Sequence, residues 1–201
     1  MASEATVHVI DDDDAMRDSL AFLLDSAGFE ARTYGSAGLF LETAGDLSDG
    51  CVVTDVRMPG MNGLELTRRL KSLGVNLPIV MITGHGDVPL AVESMKAGVA
   101  DFLEKPFDDE ALLRAIRSAL RPAAEAGQAV DSPFQTLLGQ LSPRELEVLR
   151  GVVEGKANKV IAFDLGISPR TVEVYRANVM TKTGAASLAE LVRMALRAGF
   201  A

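Results

Sequence analysis

The sequence predicts two domains of different class. Residues 1–121 read as an α/β domain, a five-stranded parallel, doubly wound sheet, and 141–201 as a small all-α helix-turn-helix domain, with a linker at 122–140. Three observations carry this: β-rich runs alternate with helical patterns up to residue 120, a stretch poor in large apolar residues follows, and three helix-start signals crowd the remainder. A chain of 201 residues is long enough for two small domains that each bury a core.

The strand runs come in order as TVHVI (6–10), FEARTY (29–34), GCVVTD (50–55), PIVMIT (78–83) and DFLEKP (101–106). Between them apolar residues recur at helical spacing: Met16, Leu20, Leu23, Leu24 and Ala27; then Leu66, Leu70 and Leu73. Val88, Ala91, Val92 and Met95 form a third stripe, and Leu112, Leu113, Ile116 and Leu120 a fourth. Gly28, Gly45, Gly74 and Gly98 stand where C-terminal caps are expected. Repeated strand–helix units demand a parallel sheet covered on both faces, and such sheets place their chemistry beyond the carboxyl ends of the strands.

RPAAEAGQAVDSP (121–133) breaks the pattern and reads as a linker. After it, Ser142-Pro143-Arg144-Glu145 is a capping box with proline at the first helical position, and Ser187-Leu188-Ala189-Glu190 is a second box. Ser168-Pro169 marks a third start after Leu165-Gly166-Ile167, and 158–165 has room for one short helix. Helix, short helix, glycine turn, longer helix and closing helix make a helix-turn-helix arrangement.

Charge divides the chain the same way. Residues 1–126 hold 21 acids and 11 bases, a net of −10, whereas 141–201 hold 6 acids and 9 bases, a net of +3. The overall −8 argues against a nucleic-acid partner, but the last third taken alone does not. Apolar runs are of strand length, and no basic segment with an apolar signal region opens the chain, so the expectation is a cytoplasmic protein without membrane contact. A single cysteine, Cys51, excludes an internal disulfide or a multi-cysteine zinc site and reads as a small core residue.

The first candidate site sits on the strand ends. Asp11-Asp12-Asp13-Asp14 follows directly on VHVI, and Asp55 closes VVTD before a Met58-Pro59-Gly60 turn. Acids at the ends of strands in one parallel sheet converge at one rim, where they repel unless a cation offsets them. Oxygen donors with open positions suit Mg²⁺, which keeps part of its water shell. Thr83 and Lys105 end two further runs, adding a hydroxyl and a positive charge. Acids, hydroxyl, lysine and metal together describe a phosphoryl-transfer site with Asp55 as nucleophile.

The second candidate site is the segment SPRTVEVYRANVMTKTG (168–184). Val172, Tyr175 and Val179 share an inward face, while Arg170, Val174, Ala177, Asn178 and Thr181 share an outward one suited to a major groove. On this reading Val174 meets a thymine methyl and Glu173 accepts from a cytosine amine, with Thr171 beside them. Lys156, Lys159, Arg170, Arg176 and Lys182 are expected at phosphates.

Asp11-Asp12, Asp55 in D-x-x-M-P-x-M-x-G, Thr83 and Lys105-Pro106 resemble the receiver domain of two-component response regulators. LSPRELEVL followed by NKVIAFDLGISPRTVEVYRANVM resembles the LuxR/NarL-type DNA-binding domain. With TGHGD (83–87) and EKPF (104–107), nearly the whole chain is similar to FixJ-type nitrogen-fixation regulators. The resemblance implies a CheY-like strand order of 2-1-3-4-5, and Mg²⁺ held by Asp11 or Asp12, Asp55 and the backbone carbonyl of Arg57. It further implies a cis bond before Pro106 and Phe102 as an aromatic switch moving with Thr83. The implied partners are a sensor histidine kinase, double-stranded DNA, RNA polymerase and a second copy of the chain. The second copy would pair on phosphorylation through Val92, Lys96 and Asp101. Tyr175 departs from the pattern, since many relatives carry histidine there.

Two other classes were weighed. An aspartate-nucleophile phosphatase commonly needs a second acid two residues after the nucleophile, and position 57 is arginine. A nucleotide-binding sheet needs a G-x-G-x-x-G or P-loop after a strand, and the sequence has neither. The expectation is therefore a regulator that catalyses only its own aspartyl phosphorylation and dephosphorylation.

Overall fold

The structure is a computed structural model that describes residues 5–43, 47, 49–84, 88–121, 133–185 and 187–200. The expected cap at Gly45, the His85–Asp87 part of TGHGD, the side chain of Val88 and linker residues 122–132 lie outside the described residues. By its packing the chain divides into two units, 1–85 with 97–122 and 86–96 with 123–201. The helix Val88–Lys96 thus groups with the second unit, although it falls within the 1–121 span read as one domain.

The first unit is built on five parallel strands: β1 Thr6–Ile10, β2 Glu30–Tyr34, β3 Cys51–Asp55, β4 Ile79–Thr83 and β5 Asp101–Glu104, in the order β2-β1-β3-β4-β5. The continuous apolar runs of β3 and β4 are buried at every residue, as strands covered on both faces require. Edge strand β2 instead exposes Glu30 and Arg32, charges that discourage pairing with another sheet. Helices α1 (Asp14–Ser26), α2 (Ala37–Thr43), α3 (Gly63–Ser72) and α5 (Asp109–Leu120) follow β1, β2, β3 and β5; α4 (Val88–Lys96) follows β4. Val7, Val9, Cys51, Val53, Val80 and Ile82 pack on Leu20, Leu24, Leu112 and Ile116 to form one core layer. Burial pushes the Cys51 thiol up to about 12, so at neutral pH it is a protonated core residue, as its apolar setting suggested.

Helix α2 has no counterpart among the four apolar stripes. At seven residues it buries only Ala37 and Phe40, too few positions for a period to show. Phe40 packs edge-on against Tyr34, whose hydroxyl lies 3.2 Å from the buried His8 Nδ1. The expected glycine caps at 28, 74 and 98 all have φ between 75° and 90°, the left-handed backbone that β-carbon-bearing residues resist.

In the second unit, α6 (Pro133–Leu138), α7 (Pro143–Val153), α8 (Asn158–Leu165), α9 (Pro169–Thr183) and α10 (Leu188–Arg197) include the four helices the sequence calls for. Helix α6 corrects the linker: within 122–140, residues 133–138 are helical, and Phe134 is buried in a core with Leu141, Leu149, Val179 and Leu191. Phe134, Leu137, Leu138 and Leu141 recur at helical spacing, a short signal at the end of the linker stretch, and Leu149, Val179 and Leu191 close the core over it. The Ser142–Glu145 capping box forms in both directions, and Ser168 and Ser187 each cap their helix at the third residue. Gly166, at φ 66°, turns the chain from α8 toward α9.

Candidate functional sites

Parallel register creates the first site. Ile10 lies opposite Thr54, so the next residues, Asp11 and Asp55, leave the sheet side by side. Thr83 pairs with Glu104, and Lys105 follows immediately, its N–H donating to the Thr83 carbonyl at 2.7 Å. The Lys105 ammonium reaches back to both acids, 2.8 Å from Asp55 Oδ1 and 3.1 Å from Asp11 Oδ2. Asp55 Oδ2 accepts from the Arg57 N–H at 2.5 Å, and Asp11 Oδ1 from the Asp13 N–H at 2.9 Å. Every oxygen of the two carboxylates therefore has a donor, which makes their burial tolerable. Thr83 is fully buried beside them, whereas Asp12 is exposed. The Lys105–Pro106 bond is cis.

Electrostatically the cluster holds two buried carboxylates against one ammonium. Burial works to lower the Lys105 pKa, but hydrogen bonds to Asp55 and Asp11 and their charges outweigh it, so the lysine stays above its ordinary value. A net negative charge remains, with exposed Asp12 next to it. Hard oxygen donors around an uncompensated charge are the chemistry of a Mg²⁺ site. Among the described residues no group of three or more acidic, histidine or cysteine side chains is gathered to hold a metal. A cation here would draw on two or three acids, a main-chain carbonyl and water.

The run of four aspartates separates into four roles. Asp11 is buried in the site, Asp12 is open to solvent, Asp13 caps α1 by accepting from Ala15 and Met16 N–H groups, and Asp14 pairs with Arg17. Arg17 also donates to the Asp11 carbonyl at 2.6 Å, which fixes the β1–α1 turn. Sequence reasoning did not single out Asp13 or Arg17. Gly63, the last residue of the D-x-x-M-P-x-M-x-G motif, owes its place to space: a β-carbon there would lie 2.4 Å from the Asp55 carbonyl oxygen. That close approach lets the Gly63 N–H bond Val56 and seats α3 against the site.

Phe102 is buried on β5. Of the residues expected at a pairing surface, Lys96 is exposed, but Val92 is only 2% exposed. The Asp101 carboxylate accepts the Phe102 N–H at 2.9 Å. Val92 is thus packed inward with Ala91 and Met95 of its stripe in this structure.

On α9, Arg170, Glu173, Val174, Ala177, Asn178 and Thr181 are exposed, Thr171 is half-buried, and Val172 and Val179 are buried. The outward stripe is as expected. The flanking cations divide. Lys159 and Arg170 are exposed, but Lys156 pairs with Glu154 and Asp164, and Lys182 with Glu145 and the Gln140 carbonyl. Arg176, half-buried, donates to Asn158 Oδ1 at 3.0 Å. Glu145 is itself buried, and its bond from Lys182 holds its carboxyl below the ordinary value.

Family models match along both units: the response regulator receiver domain over residues 7–117, and bacterial regulatory proteins of the luxR family over 139–195. The chain belongs to the FixJ-type two-component response regulators. It is 58% identical to transcriptional regulatory protein FixJ of Azorhizobium caulinodans, covering 100% of this chain and 96% of the relative. It is 55% identical to FixJ of Bradyrhizobium diazoefficiens over 99% and 98% of the two. Crystallised full-length FixJ from B. japonicum is similar in structure, with a TM-score of 0.58, 54% identity and 99% of each chain covered. The Vibrio cholerae chemotaxis protein CheY4 matches over 58% of this chain and 98% of its own at 30% identity and a TM-score of 0.53. As a response regulator of this type, the chain joins a receiver to a LuxR-type DNA-binding domain, so it regulates transcription, and its family's partners are a sensor kinase and DNA. Among the described residues no helix is long and apolar enough to cross a membrane.

Proposed function

We propose that Asp55 accepts a phosphoryl group from a phosphohistidine of the sensor kinase, and that this favours a dimer which binds DNA with higher affinity. The observation that carries the reading is the single Lys105 ammonium shared by the Asp11 and Asp55 carboxylates at the carboxyl ends of their strands. One oxygen of Asp55 attacks phosphorus; the P–N bond to the kinase histidine breaks as the new P–O bond forms, and the imidazole leaves with the bond pair. Lys105 stays close enough to offset charge on the transferring oxygens, and the Arg57 N–H holds the nucleophile's other oxygen. Mg²⁺, when bound by Asp11 or Asp12, Asp55 and the Arg57 carbonyl, would supply further charge neutralisation. The acyl phosphate then presents an acceptor to Thr83, whose turn with Phe102 would carry the change outward.

With arginine at position 57 the site lacks an acid two residues after the nucleophile, the partner that turnover on small phosphate esters commonly needs, so the chemistry ends on the protein itself. Downstream, the outward stripe of α9 reads the major groove, and paired receivers bring two such helices to successive half-sites. Such bivalency raises affinity without new contacts. The setting this implies is the cytoplasm, with nitrogen-fixation promoters and RNA polymerase as further partners. The test is intact mass after incubation with a small-molecule phosphodonor and Mg²⁺, combined with sedimentation and DNA binding before and after. No phosphate incorporation removes the phosphoacceptor reading. A monomer that still gains DNA affinity removes the dimer.

A further inference from the structure

The expected phosphate contacts of α9 were assigned by charge alone, and helix geometry separates one of them from the rest. Arg176 is two residues from Val174, which puts their side chains about 160° apart around the helix axis. Its true neighbours at i−4 and i+3 are Val172 and Val179, exposed 0% and 1%. Arg176 therefore leaves from the packed face of α9, opposite the stripe that faces outward. From there its guanidinium crosses to α8 and donates to Asn158 Oδ1 at 3.0 Å.

Asn158 is the first residue of α8, and Gly166 lies at the helix's other end, where the left-handed turn leads into α9. The two helices are thus tied at two points separated by the length of α8, eight residues or about 12 Å. Packing of Ile161, Ala162 and Val172 brings the two helices together, and a directional hydrogen bond at the far end narrows the angle at which they cross. We propose that Arg176 is a positioning residue for DNA recognition: through Asn158 it fixes the angle at which α9 presents Val174, Ala177 and Asn178, rather than serving as a phosphate contact. This rests on the DNA-binding reading of α9.

The two roles differ in what salt and sequence do to binding. A lost phosphate contact lowers the slope of log affinity against log salt by about 0.9 and weakens all sequences alike. A lost positioning contact leaves the slope and reduces the preference for the right sequence. The experiment uses the full chain, treated with phosphodonor and Mg²⁺, against two probes: a duplex that the wild type enriches from a random-sequence pool, and poly(dI-dC). Both Arg176→Ala and Asn158→Ala are expected to cut the affinity ratio between the probes about tenfold at unchanged salt slope, the size of one charge-assisted hydrogen bond. Asn158→Asp, which keeps an acceptor for the guanidinium, is expected to retain the ratio. If Arg176→Ala lowers the slope while Asn158→Ala binds as the wild type does, Arg176 is a phosphate contact and the proposal is overturned. An unchanged ratio in Asn158→Ala overturns it as well, and that variant decides the matter if circular dichroism shows Arg176→Ala unfolded. A wild type that enriches no duplex sinks the DNA-binding reading itself, an outcome visible before any variant is made.

Discussion

At the sheet rim, two nearly buried carboxylates are forced against one ammonium, and on the proposed reading a cation would offset the charge left over. Around α9 the arrangement is reversed. The surface turned outward is polar, short and nearly uncharged at its centre, while Lys156, Arg176 and Lys182 are held by other side chains of their own unit. On the proposed reading, the first region works through an electrostatic tension that the fold maintains. In the second, the fold engages the flanking cations with partners of their own, and short side chains such as Val174, Ala177 and Asn178 are left facing outward. A cation near a site is therefore no guide to its role until its partners are known.

The comparison breaks most sharply at Asp55. Asp55→Asn should abolish phosphoryl incorporation while leaving the circular dichroism spectrum intact, because the amide is no nucleophile; equal incorporation by mass would remove Asp55 as acceptor. Next in size is Lys105→Ala. It leaves two buried carboxylates facing each other without their ammonium, and unfolding free energy should fall by about 3 kcal/mol. Added Mg²⁺ should recover part of that loss and raise the melting temperature more in the variant than in wild type. A variant as stable as wild type in metal-free buffer would show that the rim carries no such tension.

Glu145→Gln probes the second region and should cost less, about 1 kcal/mol, since the Lys182 side chain is 39% exposed and solvent screens the pair. The Glu145 pKa is lowered in the folded state, first by the Lys182 bond and then by the Ser142 N–H. Its contribution is therefore complete above the ordinary carboxylate value of 4.5 and is lost as pH falls through the lower folded value. Denaturant titrations of wild type and Glu145→Gln should converge as pH drops below 4.5; a constant gap would mean the carboxylate's charge is not what stabilises α7 against α9. Val174→Ala is of the same size, about 1 kcal/mol, but confined to particular base pairs and read as a changed preference in a pool selection. The smallest effect belongs to Lys156→Ala. Its pairs with Glu154 and Asp164 are solvent-exposed, so the thermal unfolding midpoint should hardly move.

Much of this was legible from local order in the sequence. Five strand runs, the caps at Ser142, Ser168 and Ser187, and the outward stripe of α9 follow from periodicity and from short-range hydrogen bonding, which the chain settles within a few residues. Acids at strand ends were legible for a related reason: once strands are parallel, their ends must share a rim. Periodicity also places Arg176 beside Val172 and Val179, though its charge invites the opposite reading. Tertiary structure alone decided the rest. Lys105 and Asp11 are 94 positions apart, and Lys182 and Glu145 37 apart, so no local pattern says which cation is engaged and which is free. Local geometry sets the direction in which a side chain leaves its element; what it meets there depends on partners brought in from elsewhere in the chain.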